Sequence, residues 1–168
     1  MEKIVLVNKR NKIIGTEEKM KTHLAGKLHR AFSVILFNKK GEILIQKRAK
    51  SKYHSPGLWT NTCCSHPRPR EGVGLAAKRR LKEEMGISCK IKKAFSFIYK
   101  AKIGDLIEHE FDCVFLGKFD GEPKPNKKEV AGWRWIELKD LETDIKKNPQ
   151  KYTPWFKIII RKIKGLKK

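Results

Sequence analysis

Alternation of apolar and polar positions divides this chain into short elements. Residues 3–8 and 12–16 are apolar-rich stretches on either side of Lys9-Arg10-Asn11, and the pattern predicts two strands. Residues 17–28 are polar and include His23. Ala31–Phe37 and Glu42–Arg48 flank Asn38-Lys39-Lys40-Gly41, a polar link ending in glycine that predicts a hairpin. Residues 49–71 contain prolines and show no periodicity, which predicts a long loop of the kind that carries function. Over 72–86 the period changes: Val73, Ala76, Ala77, Leu81 and Met85 form a stripe near helical spacing, and Gly86 can close the helix. Strands are predicted at 89–99, 106–117 and Trp133–Ile136, and helices at 138–147 and 154–164. Thr153 and Pro154 supply the cap and first turn of the last helix.

Strands and helices alternate without a regular βαβ rhythm. The fold class expected is α/β or α+β, a sandwich with a mixed sheet flanked by helices. A chain of 168 residues suits one domain, 1–168. Its core is expected at about 29–150, with a C-terminal helix reaching about 166.

Composition narrows the function classes. Hydrophobic residues make up 39%, enough for a core. No apolar run approaches the ~18 residues that span a bilayer. The start Met1-Glu2-Lys3-Ile4-Val5-Leu6-Val7-Asn8 turns polar too soon for a secretory signal. A cytoplasmic protein without membrane insertion is expected. Cys63, Cys64, Cys89 and Cys113 contain no CxxC pair, and adjacent cysteines rarely meet disulfide geometry, so reduced thiols are expected. Cys89 and Cys113 are read as small core residues.

The net charge of +22 would suit an anionic partner. The basic residues are spread along the chain, mostly lysine, and do not interleave with aromatics as in a single-strand-binding groove. No nucleic-acid partner is therefore expected, and any functional charge must be local.

One helix carries a more specific signal. Glu71, seven residues, then Arg79-Arg80-Leu81-Lys82-Glu83-Glu84-Met85-Gly86-Ile87 resembles the Nudix box, with Ser65 in place of its leading glycine and Arg80 in place of a glutamate. Positions 80, 83 and 84 share a helix face. In Nudix hydrolases carboxylates there form a magnesium cage for cleaving a diphosphate. A guanidinium at 80 binds phosphate but cannot bind metal. The site would hold a diphosphate and hydrolyse it poorly. Taken alone, the degenerate box is equally well read as a charged helix surface.

Three further matches extend the resemblance: His23 followed by Leu28-His29-Arg30-Ala31-Phe32-Ser33, then Trp59-Thr60-Asn61-Thr62-Cys63-Cys64-Ser65-His66-Pro67, then Glu108-His109-Glu110. Together with the box they resemble the type 1 isopentenyl-diphosphate isomerases, a Nudix-superfamily family, from about Lys19 to Trp155. The resemblance implies a Nudix-like sandwich that converts isopentenyl diphosphate to dimethylallyl diphosphate through a tertiary carbocation. It implies a metal site of His23, His29, His66, Glu108 and Glu110. Three imidazoles and two carboxylates suit Mn²⁺ or Zn²⁺. His109, on the opposite face of its strand, is excluded.

The resemblance also makes Cys64 and Glu110 the catalytic pair, with Tyr99 assisting Glu110. Cys64 is expected to act as a thiolate, favoured by metal and nearby cations. Trp155 matches the aromatic residue facing the cation. Lys19, Arg48, Lys52 and Arg80 match the diphosphate contacts, and Glu84 matches the ligand of a Mg²⁺ shared with the diphosphate. Cys63 should point away from the site and be structural. A monomer is favoured. The competing readings are a Nudix hydrolase of nucleoside diphosphate derivatives and a basic RNA- or membrane-surface-binding protein, the latter suggested by the tail from Trp155 to Lys164.

Overall fold

The computed structural model describes residues 1–166; the last two residues of the expected 1–168 domain lie outside the described residues. The chain runs β1 (Lys3–Val7), β2 (Ile13–Glu18), α1 (Lys19–Ala25), β3 (His29–Phe37), β4 (Ile43–Arg48), β5 (Trp59–Thr60), β6 (Cys63–Ser65), α2 (Val73–Met85), β7 (Ile91–Ile103), β8 (Leu106–Lys118), β9 (Val130–Ile136), α3 (Leu138–Lys147), a 3₁₀ turn (Pro149–Lys151) and α4 (Pro154–Leu166). The mixed sheet between helices matches the fold class read from sequence.

β3 organises the sheet. It pairs antiparallel with β6 through Ser33 opposite Cys64, and parallel with β8 from His29–Glu110 to Phe37–Lys118. Period-two alternation sends its side chains to two cores. Phe32, Val34 and Leu36 meet Cys63, Ala76, Ala77, Leu81 and Met85 under α2. Ile35 meets Phe97, Tyr99, Trp155, Phe156 and Ile159 under α4. The stripe that predicts α2 is therefore the face it buries. The apolar side of the basic C-terminal helix is likewise spent on the core.

Gly86 ends α2 in a left-handed conformation (φ 68°), with its N–H bonded to Lys82 O. A Cβ there would lie 2.6 Å from Lys124 O, so both dihedral and space call for glycine.

Three features differ from the sequence reading. Residues 17–28, for which the pattern predicts no element, contain α1. This helix has no side-chain cap, and its buried residues are Thr22 and His23 while Met20 and Leu24 are exposed, so it carries no apolar stripe. The 49–71 loop contains β5 and β6, too short to show alternation. β7 and β9 extend past the boundaries expected for them.

Candidate active site

The register of β3 brings the candidate residues onto one face. His29, Ala31 and Ser33 lie on the same side, Cys64 is the partner of Ser33, and Glu110 is the partner of His29. On the far side of β8, Tyr99 is the partner of Glu110. Cys64 and Glu110 thus come from strands flanking β3 on opposite edges. Both line one cavity of about 360 Å³, together with His66, Lys19, Arg48, Lys52, Arg80 and Trp155.

Behind the cavity wall formed by His66 and Glu110, the side chains of His23, His29, His66, Glu108 and Glu110 bring ligand atoms within 4.8 Å of one another, all buried. The metal set read from sequence is therefore assembled. α1 supplies His23. Its Nδ1 donates to Lys19 O at 2.7 Å, and Nδ1 of His29 donates to Lys27 O at 2.9 Å. A carbonyl can only accept, so Nδ1 of each ring carries a proton, and the neutral tautomer this selects presents Nε2 as a lone pair. Those two Nε2 atoms and both oxygens of Glu108 are buried without a well-aligned hydrogen bond among the described residues; the nearest ring nitrogen to Glu108 is Nε2 of His54, 2.9 Å from Oε1. Buried polar atoms are nearly always satisfied. Imidazoles fixed through their outer nitrogens, with inner nitrogens and carboxylate oxygens left open, are the donor set a divalent cation takes. His109 turns away and bonds Gly26 O at 2.9 Å, which ties the end of α1 to β8.

The charges agree. Burial opposes ionisation of Glu108, but the close approach of the His23 and His54 rings, at 3.5 and 2.9 Å, outweighs it and holds its carboxyl well below the usual range. Burial and Glu108 oppose Glu110, and His29 and His66 outweigh them. Burial pushes His66 down to about 3, so its ring is neutral. Tyr99 Oη donates to Glu110 Oε2 at 2.6 Å.

The thiolate expected at Cys64 is not what the protein groups alone produce. Burial pushes its thiol up to about 12, and the opposing charge of Arg48, whose Nη1 lies 3.9 Å from Sγ, does not compensate. Cys63 is fully buried under α2, as expected for a structural residue.

Arg48 is held by the carbonyls of His54 (3.0 Å) and Ser55 (3.2 Å), with its guanidinium 5.6 Å from the Trp155 ring. The indole N–H of Trp155 donates to Asn61 Oδ1 at 3.1 Å, and Asn61 Nδ2 donates to Cys63 O at 2.6 Å. Lys19 pairs with Glu2 at 3.1 Å, and Lys52 pairs with Glu129. Arg80 bridges Glu84 (2.6 Å), Glu83 (3.0 Å) and Glu129 (3.1 Å). Glu84 stands apart from the His/Glu cluster: it is buried, with Oε1 taken by Arg80 and Oε2 by Gln46 at 2.9 Å.

Sequence reasoning missed several cavity residues. His54 is buried with Nε2 2.9 Å from Glu108 Oε1. Arg68 and Glu129 line the cavity, and Asp112 is buried beside Ser33 Oγ at 2.8 Å. Asp112 was within reach, since it continues the alternation of Glu108 and Glu110. His54 and Glu129 sit in loops, where no spacing marks them.

A NUDIX domain model matches residues 27–156. The isopentenyl-diphosphate Delta-isomerase 2 of Photorhabdus laumondii is 52% identical over 160 residues, covering 95% of this chain and 90% of that one. The isomerase 2 of Aromatoleum aromaticum is 49% identical over 155 residues, covering 92% of this chain and 82% of its own.

The chain belongs to the isopentenyl-diphosphate Delta-isomerases.

The isomerase of Serratia proteamaculans is 47% identical, covering 95% of this chain and 90% of that one. The fold of this family member is that of other Nudix proteins. The structure of DR0079 from Deinococcus radiodurans superposes with a TM-score of 0.81 at 20% identity, covering 96% of this chain and 98% of that one. A MutT protein from Methanosarcina mazei does so at 0.70 and 17%, covering 84% and 96%. The NUDIX match begins after Lys19 and His23, so a cavity-lining cation and a cluster histidine come from outside the matched residues. No described helix is long and apolar enough to cross a membrane.

Proposed function

We propose that this protein isomerises isopentenyl diphosphate to dimethylallyl diphosphate through Cys64 and Glu110. The observation that carries the reading is the meeting of a thiol and a carboxyl in one cavity, from opposite edges of β3, beside the buried His/Glu cluster.

The reaction is a 1,3-proton shift. A proton must reach the terminal alkene carbon, leaving a tertiary cation at the methyl-bearing carbon, and the carbon on its diphosphate side must lose a proton. An alkene is a very weak base, so the acid must act in an enclosed, dry site. The forward step starts from the form with the proton on Glu110 and a thiolate at Cys64: Glu110, backed by the Tyr99 hydroxyl, gives the first proton and Cys64 takes the second, which leaves a carboxylate and a thiol, the form from which the reverse reaction runs. The indole of Trp155, fixed by Asn61, turns an electron-rich face to the developing cation. Burial, which pushes the Cys64 thiol up, favours the protonated form that forward turnover leaves there.

The family and the cluster go with a divalent metal, and Mn²⁺ or Zn²⁺ suits the ligands His23, His29, His66, Glu108 and Glu110. When bound, the cation adds charge that strengthens the acid at Glu110 and favours the Cys64 thiolate. Lys19, Arg48, Lys52 and Arg80 hold the diphosphate. For Lys52 and Arg80 this means exchanging Glu129 oxygens for phosphate oxygens. Glu84 would ligate a Mg²⁺ arriving with the diphosphate, through lone pairs not used by Arg80 and Gln46 or by exchanging one of those contacts. Arg80, in turn, neutralises the helix face on which a hydrolytic Nudix site would gather carboxylates.

Incubation with isopentenyl diphosphate and Mg²⁺ tests the reading. Dimethylallyl diphosphate should form, with no phosphate release from nucleoside diphosphate derivatives; phosphate release without isomer would overturn it.

A further inference from the structure

The cavity contains a fourth imidazole that the isomerisation leaves without a role. His54 lies outside the group of five ligand residues, yet it is buried, and its Nε2 is 2.9 Å from Glu108 Oε1. His23, a member of the group, is farther from the same oxygen, at 3.5 Å. The His54 Nδ1 is buried with no hydrogen-bond partner among the described residues, so Glu108 is the polar group this ring addresses.

Its other contacts are aromatic. The ring lies edge-to-face with Tyr53 (4.3 Å between centroids) and with Trp155 (5.7 Å), and stacks toward His23 at 6.1 Å. It therefore touches both the ring assigned to the cation and a carboxylate of the cluster.

The backbone is arranged to hold it there. His54 rides on the segment between β4 and β5, which is closed by Arg48 N to Leu58 O (2.9 Å) and Gly57 N to Arg48 O (3.1 Å). The Arg48 guanidinium grips the carbonyls of His54 and Ser55. Ser55 adopts a left-handed φ of 47°, uncommon for a residue with a side chain, and its buried hydroxyl has no hydrogen-bond partner among the described residues. Such strain persists where surrounding contacts fix a functional position.

We propose that His54 is a positioning residue for the metal centre: its ring nitrogen orients the Glu108 carboxylate, while its seat against Trp155 and the Arg48-bound loop sets cluster and cavity wall together. The inference rests on the assignment of the His/Glu cluster as a metal site. Outer partners of ligating carboxylates set ligand orientation, and losing one typically weakens metal affinity by roughly 10–100-fold.

Two substitutions separate this role from packing. His54→Phe keeps an aromatic ring against Tyr53 and Trp155 but has no N–H; His54→Gln keeps a donor but loses the ring. Mn²⁺ affinity of each purified variant is measured by calorimetric titration, with His29→Ala as the control for the cluster. The expected result is a loss of about 10-fold or more for His54→Phe, with His54→Gln within about threefold of the parent protein. Equal affinity of His54→Phe and the parent, with affinity lost in His29→Ala, would overturn the role of His54 and leave the metal site standing. Unchanged affinity in His29→Ala as well would overturn the metal-site assignment and this inference with it.

Discussion

The indole N–H of Trp155, on the first turn of α4, donates to Asn61 Oδ1 in the strand connection that leads to Cys64. One side chain thus fastens the C-terminal helix to the catalytic segment and aligns a ring beside Arg48. Trp155→Phe keeps the apolar contact and loses the bond, and should lower stability by about 1 kcal/mol. Trp155→Ala should cost about 3–5 kcal/mol. Urea denaturation checks both, and kcat should fall in both because the cation loses its oriented ring.

Arg80 is expected to serve substrate and fold together. Arg80→Ala leaves Glu84 buried with one oxygen unpaired, and breaking such a pair should cost about 3 kcal/mol. KM for isopentenyl diphosphate should rise more than kcat falls. Arg80→Lys keeps a point charge without the fork geometry, and should recover stability better than KM. Steady-state kinetics with denaturation curves distinguishes the two effects.

The Glu71–Arg79 pair gives a pH dependence of known sign. The Arg79 hydrogen bond holds the Glu71 carboxyl below its ordinary value of 4.5, with burial opposing. The folded state therefore binds fewer protons than the unfolded one, and the pair's stabilisation is present above 4.5 and lost as pH falls through the lowered folded value. Glu71→Gln should lower stability at pH 7 by about 1 kcal/mol, with the gap closing toward pH 3. Denaturation at several pH values reads this directly.

Removing metal from the His/Glu cluster should abolish turnover while leaving the fold, since the two cores under α2 and α4 do not depend on it. Activity after dialysis against a strong chelator should return with Mn²⁺ or Zn²⁺ in the presence of Mg²⁺. His29→Ala should not be restored by either ion.

Much of this was legible in the sequence because β3 and β8 are long strands whose successive side chains point to opposite faces. That alternation put Glu108 and Glu110 on one face of β8 and His109 on the other, and the same period in the short segment at 63–65 left Cys63 to the core. The box helix was legible because its apolar stripe is also its packing face. α1 was not, since the helix exists to point His23 inward and buries almost nothing else. The second shell was hidden for a related reason. His54 and Glu129 reach the site through loop geometry, and no periodicity encodes a loop's path. The upward push of burial on the Cys64 thiol was also out of reach: it depends on packing against the core under α4, which only the folded chain supplies.

Cys64, not its neighbour Cys63, is expected to move the substrate proton. The rate of dimethylallyl diphosphate formation should be compared for Cys64→Ala and Cys63→Ala at saturating metal and substrate. Cys64→Ala should be slower than the parent by about 10³-fold or more. Cys63→Ala should turn over near the parent rate with some loss of stability. Turnover retained by Cys64→Ala, or lost in a folded Cys63→Ala, would contradict the account.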